Sequence, residues 1–168
     1  MDEVHFQQHG SRCRMWVPPE VLDPICQHAP TRKSISYFGA IRIRDGKLCC
    51  SKPLGHFDAQ TCWDFLRHLH RISASAGRRV VVISDNAKYH HATLHAEWRR
   101  LHEPRFHLHF LPPYSPQLNP IERVWKLLRR LRLHNRYFPS LAELSAAVDA
   151  QLALWKRPNL VLKRLCSV

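Results

Sequence analysis

Two acidic residues of this 168-residue chain lie where a segment predicted to be buried meets a predicted loop. Asp85 follows the run Arg79–Ser84, whose consecutive β-branched residues predict a strand buried on both faces. Ligand sites in open α/β sheets lie beyond the carboxyl ends of such strands, so Asp85 could bind a ligand there. It could equally cap or turn the chain together with Asn86, because both residue types favour turns.

The second acid, Glu122, follows a proline-rich segment at the predicted start of a helix. Asn119 suits the N-cap position, Pro120 the first helical position, and Glu122 the third. In such a capping box the glutamate bonds back to the N-cap backbone, a structural role that needs no chemistry. A carboxylate there also points out of the first turn, toward whatever faces the helix start. The local pattern does not separate these two interpretations.

The strands that would position these acids are predicted from alternation and from β-branched residues. Asp2–Gln7 and Phe106–Phe110 alternate with the period of a strand, and Arg14–Val17 could pair beside the first. Ser34–Ile43 is rich in β-branched and aromatic residues, and the following Asp45-Gly46 predicts a hairpin turn. We therefore expect three antiparallel strands and a hairpin extension in the first 52 residues.

Helical spacing of apolar residues predicts four helices. They run from Cys62 to Ile72 with Asp58 as N-cap and Gly77 as stop, from Thr93 to Leu101, from Pro120 to Leu133, and from Leu141 to Trp155 after a capping box at Ser140 and Glu143. The third should turn Val124, Trp125, Leu127, Leu128 and Leu131 to the core. Together with the strands, this order predicts a mixed sheet flanked by helices.

The charge of the chain favours a nucleic-acid partner. Lys and Arg outnumber Asp and Glu by 26 to 13, which gives a formal net charge of +13 with the 13 histidines neutral. A pI near 10.1 is typical of proteins that meet phosphate backbones. A ribosome-associated protein or an unselected basic surface would have the same charge.

Export, membrane insertion and a structural zinc site are all disfavoured. No run approaches the roughly 20 apolar residues of a membrane span, and residues 1–5 do not resemble a signal peptide. Six cysteines without a CxxC pair predict reduced thiols in a cytosolic protein. The His-X-His pairs at 68–70 and 107–109 lack the spacing of a structural zinc module.

Two motifs, taken together, separate the alternatives for the acids. Residues 85–90 read DNAKYH, residues 113–126 read PYSPQLNPIERVWK, and 36 residues lie between the two acids. This arrangement resembles the mariner-type superfamily of DDE transposases, in particular its bacterial insertion-sequence branch. Residues 2–12 look like the family's first-aspartate segment, and the resemblance covers essentially the whole chain.

The resemblance implies a fold and a metal centre. The fold would be a single ribonuclease-H-like α/β catalytic domain over residues 1–168, with a mixed five-stranded sheet flanked by helices and a first strand truncated at the amino terminus. Asp2, Asp85 and Glu122 would be its catalytic carboxylates, binding two Mg²⁺ or Mn²⁺ ions. Two divalent ions about 4 Å apart can activate the attacking oxygen and stabilise the leaving oxygen of a phosphodiester. Mg²⁺ prefers carboxylate oxygens with phosphate and water.

The activity implied by the resemblance is transposition of DNA. The protein would cut double-stranded DNA at transposon ends and join the freed 3′-hydroxyl to target DNA, inserting at the dinucleotide TA. The active complex would be a homodimer in the bacterial cytoplasm, associated with the nucleoid and with no membrane.

Five residues near the three acids are expected to contact DNA: Asn86, His90, Arg123, Lys126 and Arg130. Asn86 would orient Asp85 or contact DNA. His90 matches the family's histidine five residues after the second aspartate, and it would contact a substrate phosphate, support a metal ligand, or simply pack or cap a helix. The three basic residues share one helix face, which could contact phosphate or could be only a solvated face.

The amino terminus leaves two further hypotheses open. Full-length members of the family carry a helix-turn-helix region ahead of the catalytic domain, and residues 1–168 contain none. Asp2 is the second residue, so we expect it to lie on a strand end prone to fray. The alternatives to a transposase are therefore a catalytically inert DNA-binding or oligomerisation fragment, and a structure-specific nuclease without the joining step.

Overall fold

The amino-terminal part of the chain forms an antiparallel sheet of three strands. The structure is a computed structural model that describes residues 1–53, 55–73 and 77–167. The strands pair in the order β1 (Asp2–Gln7), β2 (Ser34–Arg42) and β3 (Lys47–Ser51). The predicted alternation is confirmed in β1, where Val4 and Phe6 are buried. The predicted Asp45-Gly46 turn joins β2 to β3, with Gly46 at a φ of +71° that favours glycine.

A second, parallel sheet contains the strand that precedes Asp85. Its strands are β4 (Val80–Ser84) and β5 (Phe106–Phe110). The chain reaches β4 through helix α1 (Ala59–Ser73), which begins at the predicted cap because the Asp58 carboxylate accepts the Thr61 backbone N–H at 2.8 Å. Between β4 and β5 the predicted helix from Thr93 is shorter than expected. The segment forms 3₁₀ turns at Lys88–His91 and Thr93–His95, followed by α2 (Ala96–His102).

Five strands are present among the described residues, but they form sheets of three and two strands rather than one mixed sheet of five. β1 starts its antiparallel pairing with β2 at Asp2. It meets β4 at Met1, whose ammonium group donates to the Ile83 carbonyl at 2.6 Å. One such hydrogen bond joins the sheets without making a ladder. The fold is therefore mixed α/β as predicted, and the single five-stranded sheet is a wrong prediction.

The carboxyl-terminal part of the chain is helical and covers the first sheet. It contains α3 (Pro120–Leu128), a π-helical turn (Arg129–Leu133), α4 (Leu141–Leu154) and α5 (Leu160–Cys166). Val124, Trp125 and Leu128 of α3 are buried as predicted, whereas Leu131 is 44% exposed. The π-helical turn accounts for the difference, since its wider winding changes the facing of the side chains and buries Leu133 instead.

Two other sequence-based expectations have clear outcomes. The N-cap at Ser140 before α4 is confirmed, because its hydroxyl accepts the Glu143 backbone N–H at 3.2 Å, whereas the Glu143 carboxylate contacts that same hydroxyl at 3.3 Å instead of the N-cap backbone. The strand expected at Arg14–Val17 is wrong, and Trp16 within it is almost fully exposed. Helix α5 was not predicted. No helix within the described ranges is both long and apolar enough to cross a membrane.

Candidate active site

The three acids singled out from the sequence line one open cleft of about 460 Å³. Asp2 begins β1, Asp85 follows the end of β4, and Glu122 lies in the first turn of α3. The predicted convergence of these residues is therefore observed. The rest of the cleft is formed by the loop after β4 and by the segment between β5 and α3, with Asn86, Ala87, Asn119 and residues 111–116.

Asp2 is held more firmly than its place near the terminus suggests. It is 7% exposed, it pairs with Gly39 across the sheet, and its Oδ2 accepts the indole N–H of Trp125 at 3.0 Å. The expected fraying is thus not observed. Burial, followed by the nearby carboxylates of Glu122, Glu3 and Asp85, raises the pKa of Asp2 to about 7.

Asp85 contacts His90, for which the sequence left open a phosphate contact, the support of a metal ligand, or simple packing. The His90 ring is fully buried, with Nδ1 3.0 Å from Asp85 Oδ1 and Nε2 2.8 Å from Glu3 Oε1. Burial alone would lower the pKa of His90, but hydrogen bonds with Asp85, Cys62 and Glu3 raise it to about 12. The hydrogen bond from His90 in turn lowers the pKa of Asp85.

A direct contact between His90 and DNA is not compatible with this burial, so that expectation is corrected. The ring lies between two carboxylates and supports Asp85 from behind the cleft. Glu3 was missed by the sequence analysis. The strand alternation places it on the face of β1 opposite Asp2, and its carboxylate lies 87 positions in sequence from its partner.

The start of α3 does not form the capping box that the sequence suggested. Asn119 is the N-cap residue, but its side chain makes no capping hydrogen bond within the described residues. Instead its Nδ2 donates to the carbonyl oxygen of Met1 at 3.1 Å, in the interior. The motif around Glu122 therefore ties the helix start to the strand that carries Asp2, which weakens the purely structural interpretation of the motif.

Asn86 connects the two strand ends at the cleft. Its Nδ2 donates to the Leu111 carbonyl just after β5, and its Oδ1 lies 3.2 Å from His91 Nε2. The residue is exposed and lines the cleft beside Asp85. It is therefore placed both to brace the loop that carries Asp85 and to meet a ligand in the cleft.

The three basic residues expected to contact DNA, two on α3 and one on the π-helical turn after it, have different surroundings. Lys126 and Arg130 are exposed. Arg123 is partly buried, and its guanidinium donates to the carbonyl oxygens of Leu165 at 3.1 Å and Ser167 at 3.2 Å. Arg123 thus anchors the end of α5, and the expectation that it contacts DNA is not supported by its position.

The donor set of the cleft suits a hard divalent cation. Asp2, Asp85 and Glu122 offer carboxylate oxygens. The pKa of Asp2 is raised first by burial and then by the negative charges of Glu122, Glu3 and Asp85. Among the described residues, ligand atoms of Glu3, Asp85 and His90 also lie within 4.8 Å of one another. We discount that group as a metal site, because both ring nitrogens of the buried His90 are already engaged with carboxylates.

Comparisons with known proteins identify the family and the fold of the chain. A family model described as DDE superfamily endonuclease matches residues 1–145. The uncharacterized protein y4pE/y4sA of Sinorhizobium fredii (strain NBRC 101917 / NGR234) is 36% identical over 102 residues, which are 60% of this chain and 70% of that protein.

Similar folds occur in solved structures. The Mos1 strand transfer complex matches with a TM-score of 0.67 at 22% identity, over 98% of this chain and 49% of that one. A pre-cleavage Mos1 transpososome matches with a TM-score of 0.68 at 20% identity, over 98% and 50%. At these identities the likeness concerns the fold, and the chain spans about half the length of the Mos1 chains.

Proposed function

We propose that this chain, which belongs to the DDE superfamily of endonucleases, is the catalytic region of a DNA transposase. It would cut phosphodiester bonds at transposon ends and join the freed 3′-hydroxyl to target DNA. The observation that carries the proposal is the cleft, where Asp2, Asp85 and Glu122 meet from a strand start, a strand end and a helix start. Caps and turns would not require three acids from distant positions to share one cleft.

We assign the binding of two Mg²⁺ or Mn²⁺ ions to Asp2, Asp85 and Glu122. Burial, followed by the like charges of Glu122, Glu3 and Asp85, raises the pKa of Asp2 to about 7, and a bound cation would offset both effects. When bound, such ions activate the attacking oxygen and stabilise the leaving oxygen of an in-line displacement. Mos1 paired-end complexes have been solved with Mn and with Mg, which supports the choice of ion.

His90 and Asn86 serve the cleft from outside the metal centre. The protonated His90 ring holds one oxygen of Asp85 and keeps that carboxylate ionised, as a metal ligand must be. Asn86 braces the loop between the ends of β4 and β5, so that Asp85 keeps its position when a substrate enters. The exposed side of Asn86 then faces the DNA strand in the cleft.

Double-stranded DNA is the proposed substrate, held mainly through its phosphates. Lys126 on α3 and Arg130 on the π-helical turn that follows it are both exposed, and the whole chain carries a net charge of +13. The Mos1 complexes with paired transposon ends support a homodimer as the active form.

The test is cleavage of DNA by the purified chain. Nicking of a supercoiled plasmid should require Mg²⁺ or Mn²⁺ and should disappear with either Asp85→Asn or Glu122→Gln. Glu122→Gln keeps the side-chain shape, so the free energy of unfolding should stay within about 0.5 kcal/mol of the parent value. Asp85→Asn also removes one of the two carboxylates that contact the buried His90, so its folding is checked by circular dichroism before its activity is scored. Glu143→Gln is the matched control, because Glu143 also lies in the first turn of a helix, contacts its N-cap residue Ser140 and lies away from the cleft.

Two other outcomes would contradict the proposal. A parent chain that binds DNA but never nicks it with either ion would be the inert fragment considered above. Cleavage at equal rates by the parent, Asp85→Asn and Glu122→Gln would place the catalytic acids elsewhere.

A further inference from the structure

The indole of Trp125 is bonded to the first of the three acids. Its Nε1 donates to Asp2 Oδ2 at 3.0 Å, and both side chains are buried. A buried indole N–H needs an acceptor, but a backbone carbonyl would satisfy it without taking a charge out of water. The buried Asp2 carboxylate, which has lost most of its water, needs a hydrogen-bond donor more than the neutral indole needs a charged acceptor. The bond therefore holds one oxygen of a group that lines the cleft.

The facing strand leaves room for this ring. Gly39 of β2 pairs with Asp2, and a Cβ atom added to Gly39 would lie 2.4 Å from Trp125 Cη2 and 2.5 Å from Trp125 Cζ2. Any larger residue there would push the indole away from Asp2. Glycine inside a strand weakens the strand and often marks a close approach, and here the approaching group is the indole ring.

Trp125 also lies one turn after Glu122 on α3. Residues three apart on a helix share a face, so one rigid element carries the third acid and the hydrogen-bond donor to the first. At the helix start, Asn119 donates to the carbonyl oxygen of Met1. Hydrogen bonds from Asn119 and Trp125 therefore join α3 and its N-cap to two consecutive residues, Met1 and Asp2. These bonds fix the position of Asp2 relative to the helix that carries Glu122.

We propose that Trp125 is a positioning residue of the metal centre. Its indole N–H fixes the orientation of Asp2, so that the other carboxylate oxygen is presented to the cleft at a constant distance from Glu122. This inference rests on the proposed function, because it gives Trp125 a part in the binding of divalent cations. Groups that orient metal ligands commonly change metal affinity by 10- to 100-fold when they are replaced.

The test compares two tryptophan variants of the full chain. Trp125→Phe keeps an aromatic ring over Gly39 and removes the N–H donor. Trp155→Phe makes the same change at another buried tryptophan of the same hydrophobic core, whose indole reaches no carboxylate among the hydrogen bonds of the described residues. The dissociation constant for Mn²⁺, measured by electron paramagnetic resonance without DNA, should rise about tenfold in Trp125→Phe and remain unchanged in Trp155→Phe.

A second measurement covers the case in which Trp125→Phe does not fold. In ¹H–¹⁵N spectra of the metal-free chain, the Trp125 indole resonance should move when Asp2→Ala removes its acceptor, and it should move in the parent when Mg²⁺ is added. The Trp155 resonance should do neither. A Trp125 indole resonance that keeps its position after either change would overturn the inference.

The outcomes separate this inference from the function on which it rests. Equal Mn²⁺ affinity in the parent and both folded variants would overturn the positioning role alone. A parent chain that binds no Mn²⁺ would overturn the metal-dependent function, and the positioning role with it.

Discussion

The buried carboxyl group of Asp2 makes the stability of the metal-free chain depend on pH with an unusual sign. Its pKa rises from 3.8 to about 7 on folding, because of burial and of the carboxylates of Glu122, Glu3 and Asp85. Between these values the folded state holds a proton that the unfolded state has released. The contribution of Asp2 to the free energy of unfolding therefore falls as the pH rises from about 4 to about 7. At about 1.4 kcal/mol per pH unit, the whole effect is on the order of 4 kcal/mol.

Asp2→Asn isolates this effect, because the amide keeps the shape of the carboxyl group and does not ionise. In urea unfolding with EDTA, the stability gained by Asp2→Asn over the parent should grow by roughly 2–3 kcal/mol between pH 4.5 and pH 6.5. Burial also lowers the pKa of the Met1 ammonium group to about 6, which makes stability rise with pH between about 6 and 8 in both proteins. Because the Met1 ammonium group is present in both proteins, its contribution largely cancels when the stability of the parent is subtracted from that of Asp2→Asn. Asp23→Asn, at an exposed position, controls for the loss of one negative charge.

Addition of Mg²⁺ extends the same experiment. A cation at the cleft competes with the proton on Asp2, so a fixed Mg²⁺ concentration should stabilise the parent more at pH 7.5 than at pH 5.5. If Asp2→Asn gave the same stability gain at pH 4.5 and pH 6.5, Asp2 would ionise normally in the folded chain. The crowding of acids that underlies the proposed metal centre would then be refuted.

Two further predictions concern the surroundings of the cleft. In DNA-binding titrations from low to moderate salt, the double change Lys126→Gln and Arg130→Gln should reduce the slope of log binding constant against log salt concentration by about one unit per lost phosphate contact. Arg123→Gln should lower thermal stability instead. An equal reduction of the slope by Arg123→Gln would contradict its anchoring role. His90→Gln should destabilise the chain by about 3 kcal/mol, because it leaves the buried Glu3 carboxylate without its cation, and Glu3→Gln should destabilise it by less, because His90 keeps Asp85. In urea unfolding, the free energy lost by the double variant should be smaller than the sum of the two single losses by at least about 1 kcal/mol. Strictly additive losses would refute the interaction between Glu3 and His90.

Sequence patterns predicted those parts of the site that depend on neighbours along the chain. The β-branched run before Asp85 predicted a strand end, and the alternation from Asp2 predicted β1. Local caps at Asp58 and Ser140 were also correct, because both involve residues within three positions. The motif resemblance added Glu122, which local capping preferences alone had left ambiguous.

The contacts that hold the acids in place were beyond local patterns. The bond of Trp125 to Asp2 joins residues 123 positions apart, and nothing near Trp125 distinguishes it from an ordinary core residue. The sequence does contain one clue, since Gly39 interrupts an otherwise β-branched and aromatic strand where a ring approaches. Two other expectations failed for different reasons. Leu131 was expected in the core, but the π-helical turn exposes it. Arg123 was expected to contact DNA, but its guanidinium donates to the backbone at the end of α5.

The anchors of β1 also determine when the cleft can form during folding. Its hydrogen bonds to Ile83, His90, Asn119 and Trp125 span between 82 and 123 residues. Closing such long loops is slow, and β1 is made first while α3 is made much later. On the ribosome, the hydrogen bond between Trp125 and Asp2 can therefore form only after residue 125 has emerged. Under the proposed function, a nascent chain without α3 has no assembled metal centre and cannot yet cut DNA.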